Sequence, residues 1–403
     1  MLDVALIGGG LCGLALAHSL QARHIGWSLF EARPRLGGRV LTAHASNGVP
    51  LDLGPAWYWP ATQPSITRLV ADLGLASLAQ PDDGRVLLLD DPNRAPQAHA
   101  FDAGRATLVA DPAVPATPGT VHGGARRLVG GMAALTDALA ERLPAAQLQC
   151  GVVLQALIDH GSHVELQLLR DGEPLHLLAR RAVLCLPPRL AASSLRFTPA
   201  LPADVLAAMA ATPTWMAGAA KALVACGSAP WRQQPATGNA WVTHPQAVLA
   251  EVFDTGPPTG PDGAAPGAAL AGFVALGAAQ RPAFRRGLPM LVESQLAMLF
   301  GHGVADGELQ LQDWADEPFT SSPADRDDDQ ASGHPVYGEP ALQQGLWQGR
   351  LWLGGSETAR HGGGYLEGAL AAAARLRTRL GEAANDGSPT APATAPTTQP
   401  EGA

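Results

Sequence analysis

Six residues near the start of the chain, Gly8-Gly9-Gly10-Leu11-Cys12-Gly13, have the spacing with which a backbone cradles a diphosphate. In a strand–turn–helix setting, Gly8 makes the tight turn and Gly10 admits the backbone to a pyrophosphate. Gly13 then lets helix and strand pack closely. Leu11 and Cys12 open the helix, whose free N–H groups and positive dipole end favour an anion. Glu31 follows about 20 residues on, where a carboxylate accepts hydrogen bonds from a ribose diol. Beyond it, Gly37-Gly38 permits a second close backbone approach. Arg33 and Arg39 either offer forked cationic donors to a diphosphate or stand as solvated surface groups.

A second set of residues lies far downstream. Of 27 basic residues only Lys221 is a lysine; the rest are arginine. Arginine serves for ion pairs and phosphate contacts, but it does not replace a compact, titratable ammonium. Lys221 is either such a group or a strand lysine reaching to solvent. Glu357, in Gly354-Gly355-Ser356-Glu357-Thr358, can accept bonds from hydroxyls of a polyol. Gly363-Gly364-Tyr365-Leu366 precedes a helix whose N–H groups, from Leu366 on, can face a developing negative charge.

The elements that must position these residues are readable. Val4–Ile7 is a buried strand, residues 14–20 a helix, and Trp27–Phe30 a second strand ending at Glu31. Helices are expected over 65–75, from Leu128 to about Leu143, over Leu288–Phe300 and from about Tyr365 to Leu380. Leu148–Leu157 reads as one strand, and a hairpin turns at Asp171-Gly172. Further strands fit 182–186, 216–226, 247–254, 268–276 and 351–353. Residues 76–122, 257–266 and 321–340 read as loop-rich or irregular, and the Ala/Pro/Thr tail from 384 as disordered.

The stretch Glu31-Ala32-Arg33-Pro34-Arg35-Leu36-Gly37-Gly38-Arg39 resembles the E-A-x-x-x-x-G-G-R segment of FAD-dependent amine oxidases. Residues 354–358 and 363–369 are similar to that superfamily's [AG]-G-x-E-T and G-Y-x-E-G-A segments, so the likeness brackets the chain except its tail. It implies an α/β fold with a Rossmann-like FAD-binding domain interleaved with a smaller mixed-sheet α+β substrate domain. Residues 1–75, 123–190 and 340–383 would form the first, and 76–122 with 191–339 the second, under a reduced lid. Asp52-Leu53-Gly54-Pro55-Ala56-Trp57 would pass under the flavin, with Pro55 a departure from the usual small residue. Val152 or Val153 would meet the adenine, Lys221 would hold a water at flavin N5, and Tyr365 would form one wall of an aromatic cage. Trp57 or Tyr337 are the candidates for the second wall, because the family's Cys–Tyr pair is missing.

The activity so implied is oxidation of an amine C–N bond by hydride transfer to flavin N5, with O2 as re-oxidant and H2O2 as product. A desaturase or oxidase of C–C or ring substrates, and a non-catalytic FAD protein, remain alternatives. A net charge of −9 with a sequence pI near 5.7 argues against nucleic-acid partners. No long apolar run suggests a membrane span. Four cysteines without a C-x-x-C pair suggest reduced thiols of a cytoplasmic protein and no metal. No cysteine follows Cys226, which predicts FAD held without a covalent bond. Acid denaturation and centrifugation should then leave the yellow colour in solution, and a yellow pellet would contradict it.

Overall fold

The computed structural model describes residues 1–232, 237–257, 267–304, 306–327 and 333–385. Most of the expected loop at 257–266, the middle of the acidic stretch 321–340 and the tail beyond 385 lie outside the described residues.

The first strand, Leu2–Ile7, pairs in parallel with Trp27–Phe30 on one side and with the end of the long strand Glu173–Leu184 on the other. Leu148–Gln149 and Leu351–Leu353 extend this parallel core at its two edges. Its strands are apolar almost throughout because both faces are covered. One face carries the helices Leu11–Gln21, Ala133–Glu141 and Leu366–Asn385, with Leu14, Leu20, Leu135, Leu139 and Leu376 in a common core. Burying each such leucine contributes about 1.5–3 kcal/mol. The long strand runs out of the parallel core into an antiparallel meander with Val164–Arg170 and Val152–Asp159. The strand expected over Leu148–Leu157 is therefore two strands. Gly151, at φ +71°, breaks it, and each half joins a different partner.

A second eight-stranded sheet runs in the order Glu308–Asp313, Ala220–Cys226, Ala268–Val274, Leu249–Asp254, Ala240–Val242, Arg85–Leu89, Gln97–Asp102, Thr107–Val109. Helix Leu288–Phe300 packs on it through Val292 and Leu296. The last three strands fall in the segment expected to be loop. Its many Pro, Asp and Gly residues make the turns, while Arg85–Leu89 finds its parallel partner in Ala240–Val242, far along the chain. A pairing of such sequence separation leaves no local signature.

The glycine turn shows why its residues are glycines. A Cβ on Gly13 would stand 2.0 Å from the Gly8 carbonyl oxygen, so the helix rests directly on the strand end. Gly13→Ala should cost about 1–3 kcal/mol by overpacking. The urea midpoint measures this, with Gly227→Ala, an exposed glycine with open space around it, expected to be near neutral.

Candidate functional site

One cleft runs from the glycine turn to the second sheet. Gly8, Gly10, Leu11 and Cys12 line it at one end and Lys221, Phe253 and Phe273 at the other. Glu31, Arg33, Gly38, Arg39, Gly54, Pro55, Ala56, Trp57, Tyr365 and Leu366 also reach it. A Cβ on Gly10 would meet nothing nearer than 3.9 Å, so the backbone there lies open to the cleft. Glu31 is buried, and its carboxylate accepts the N–H groups of Gly9 at 2.7 Å and Arg33 at 3.0 Å. The Cys12 thiol accepts the Gly355 N–H at 3.4 Å.

Four sequence candidates do not form the cleft wall. Gly13 serves the helix–strand contact. Ala32 is half-buried beside Glu31 and outside the wall. Val153 is half-buried because strand alternation turns Val152 and Leu154 into the core instead; only the Val152 N–H touches the site, donating to the Glu31 carbonyl at 2.9 Å. Glu357 is 0% exposed, and both of its carboxylate oxygens accept from Arg39, at 2.6 and 3.1 Å. Burial opposes the charge of Arg39, and the Glu357 carboxylate overcomes this and raises its pKa.

Neither arginine is a solvated surface group. Arg39 also donates to Ser356 Oγ and the Trp215 carbonyl. Arg33 is buried, donates to Glu317 and Thr320, and lies over the Phe319 ring. The segment Trp314–Thr320 thus closes one side of the cleft.

Lys221 is 3% exposed and does not reach solvent. Its Nζ donates to the Asp52 carbonyl at 2.6 Å and the Gly54 carbonyl at 3.0 Å, over the rings of Phe253 and Phe273. Burial lowers its pKa to about 8, against the pull of Asp52. Gly54 is needed for a different contact from the one expected. A Cβ there would strike the Arg39 carbonyl at 2.0 Å, so its bare backbone serves the packing of two loops.

Tyr365 is half-buried just before the last helix. Trp59 and Trp215 each stand 6.2 Å from its ring, and the exposed His334 stacks on it at 4.8 Å and 2°. Gly364 leaves room for Trp215, which a Cβ would meet at 2.8 Å. Of the two candidates for a second aromatic wall, Trp57 lines the cleft and Tyr337 does not. The Tyr337 hydroxyl is turned inward and donates to the Pro213 carbonyl at 2.9 Å. Trp59, Phe253, Phe273 and His334 had no motif to reveal them; only their sheet and loop neighbours bring them here.

The residues present fit FAD. An open glycine cradle at a helix start, a ribose-type acceptor at Glu31 and a flat aromatic and apolar far end follow one another along the cleft. Residues 6–73 match a model of the NAD(P)-binding Rossmann-like domain, and residues 117–376 match the model described as flavin containing amine oxidoreductase. The chain belongs to the flavin-containing amine oxidoreductase family. FAD is the cofactor that accompanies it. Flavin-containing amine oxidase A of Sus scrofa is 44% identical over 75 residues, which are 19% of this chain and 14% of that protein. Polyamine oxidase 5 of Oryza sativa subsp. japonica is 39% identical over 86 residues, 21% of this chain and 17% of that one. The matched stretch therefore spans under a fifth of these relatives. In fold the likeness is nearly complete. The cyclohexylamine oxidase from Brevibacterium oxydans superposes with a TM-score of 0.75 at 18% identity, covering 95% of this chain and 99% of the other. A putrescine oxidase does so with a TM-score of 0.71 at 17% identity, covering 94% and 99%.

Glu31 accepts the N–H groups of Gly9 and Arg33, so Glu31→Ala frees both and removes the carboxylate expected to accept from a ribose diol. Losing such charge-assisted bonds should weaken FAD binding by about ten- to a hundredfold. Titration of the stripped protein with FAD measures this, and unchanged affinity would remove Glu31 from the cofactor site.

Proposed function

We propose that this chain is a cytoplasmic FAD-dependent oxidase of an amine C–N bond, holding its cofactor without a covalent link. The observation that carries this is a buried, titratable Lys221 at the aromatic end of a cleft continuous with the glycine cradle. Free thiols at all four cysteines support a reducing compartment. The neighbours named for cyclohexylamine and putrescine support an amine as substrate. The segments 1–75, 123–190 and 340–383 act as the cofactor-binding part, and 76–122 with 191–339 as the substrate part under a reduced lid.

When bound, FAD supplies the acceptor for a hydride equivalent from the substrate's α-carbon. The protein's own residues do the rest. Gly10, Leu11 and Cys12 hold the diphosphate, and Glu31 the ribose. Arg39 and Glu357 neutralise one another behind the site and fix its wall. Trp57, Trp59, Trp215 and Tyr365 exclude water and orient an amine by flat contact; a cation entering among them is also attracted to their faces. Lys221 spends two N–H groups on carbonyls and keeps a third donor direction for a water. Its positive charge in a dry site stabilises negative charge developing on O2, the proposed re-oxidant that leaves as H2O2.

Lys221→Met keeps the volume of the stem without the charge. The FAD-loaded variant, photoreduced, should re-oxidise in air about a hundredfold more slowly. The ammonium is the active form, so wild type should slow as pH rises through about 8. The methionine variant should show no such fall. Stopped-flow absorbance reads both, and equal, pH-parallel rates would end the assignment.

A further inference from the structure

Cys12 and Cys185 come from distant parts of the chain and meet on the wall of the cleft, at the glycine cradle. Cys12 lies in the first turn of helix Leu11–Gln21, and Cys185 directly follows strand Glu173–Leu184. Gly8 brings the two segments together. A Cβ on it would stand 2.6 Å from the Cys185 carbonyl oxygen, while its own carbonyl oxygen lies against Gly13 of the helix. The Cys185 N–H donates to the Ile7 carbonyl at 2.7 Å, which fixes the strand end beside the turn. Gly354 shows how the sulfurs lie. A Cβ there would meet Cys185 Sγ at 3.3 Å and Cys12 Sγ at 3.4 Å, so both sulfurs border one point.

The two thiols are chemically unequal. The Cys185 S–H directed at the Cys12 sulfur lowers the Cys12 pKa against the effect of burial, and the Gly355 N–H and the Arg375 charge add to this. The same contact, together with burial, raises Cys185 well above the ordinary thiol range. A thiol of lowered pKa at a helix start, beside a protonated one, is the arrangement of an attacking and a resolving cysteine. The other two cysteines differ. Burial pushes Cys226 up to about 11, and desolvation also raises the exposed Cys150. Neither lines the cleft.

We propose that Cys12 and Cys185 are a modification site: hydrogen peroxide joins them in a disulfide while the cradle is empty, and the disulfide keeps FAD out until it is reduced. Cys12 gives up its proton and attacks one peroxide oxygen; the O–O bond breaks, leaving Cys12 sulfenic acid and one water. The Cys185 sulfur then attacks the Cys12 sulfur. The S–O bond breaks, the S–S bond forms, and the departing hydroxyl takes the Cys185 proton as a second water. Two thiols are oxidised and one peroxide is reduced. A bond of about 2.05 Å in place of a thiol contact draws the first helical turn toward the strand end and shifts the N–H groups of the cradle. FAD on those groups opposes the movement, so cofactor and disulfide exclude one another by the same free energy. The site requires only the FAD cradle and a peroxide, whatever substrate the enzyme oxidises.

The test treats the flavin-stripped full chain with hydrogen peroxide, blocks remaining thiols with iodoacetamide and maps the peptides without reduction. A Cys12–Cys185 cross-link should appear, and it should be absent when the FAD-loaded protein is treated alike. The cross-linked protein should bind FAD at least about tenfold more weakly, and dithiothreitol should restore the affinity. Cys185→Ser should give no cross-link and leave a Cys12 sulfenic acid that dimedone traps, whereas Cys12→Ser should leave Cys185 unreacted. If neither variant folds, the wild-type cross-link and its FAD titration decide alone. No cross-link in the stripped protein, an equal yield with FAD bound, or FAD affinity unchanged by the cross-link would overturn the proposal.

Discussion

A single buried ammonium ties the second sheet to the segment Asp52–Gly54 that edges the cleft. Lys221 belongs to the second sheet, yet its two hydrogen bonds go to the last carbonyl of strand Pro50–Asp52 and to that of Gly54 in the loop that follows. Taking a charge out of water costs several kcal/mol unless polar partners replace the solvent. Here two carbonyls and two phenylalanine rings do so. The carbonyl between them, that of Leu53, accepts the indole N–H of Trp314 at 3.0 Å, so three successive carbonyls are tied to the second sheet. Meanwhile the Asp52 side chain accepts the Met132 N–H at 2.7 Å and the Thr42 hydroxyl, holding the start of helix Ala133–Glu141. Fixing this loop fixes Gly54 to Trp57, and with them one wall of the cleft.

The arginines do the corresponding work on the other wall. Arg33 and Arg39 leave the same short segment after Glu31 and reach Glu317 and Glu357, nearly three hundred residues or more away in sequence. Buried pairs of this kind add little net stability, because desolvation consumes most of the Coulombic gain. They do fix register: breaking one strands a charge, so alternative packings of the two segments are disfavoured. Glu367 acts similarly without an arginine. Both its oxygens accept N–H groups at the start of helix Pro64–Asp72, from Ser65 and Ile66, each at 3.0 Å. A residue that sits in the cofactor-like motif thus has a purely architectural contact.

What could be read from the sequence was whatever is encoded locally. The glycine turn, Glu31 and the 351–369 block have fixed spacings, and the strands and helices next to them follow from apolar runs. The parallel core was legible for that reason. The half of the second sheet formed by 85–109 was not, since its strands are short, rich in turn residues, and completed by partners far along the chain. The aromatic walls escaped for a related reason: Trp59, Phe253, Phe273 and His334 meet only once two sheets and a loop are assembled. Glu357 and Gly54 were found as important positions, but their contacts could not be foreseen. The residue types suited a ligand, and the fold uses them to hold Arg39 and the loop beside it.

The parallel core is closed by its most distant parts. Leu2–Ile7 and Trp27–Phe30 form early in the chain, but the edge strand Leu351–Leu353 and the helix Leu366–Asn385, which covers helix Leu11–Gln21, come from the other end. During synthesis on the ribosome, the nucleotide-binding half must therefore wait with an uncapped sheet edge and a bare apolar helix face until more than three hundred further residues have emerged. The intervening second sheet can form in that interval from strands that pair among themselves. The part of the cleft wall formed by Gly355, Ser356, Tyr365 and Leu366 is thus the last to be synthesised.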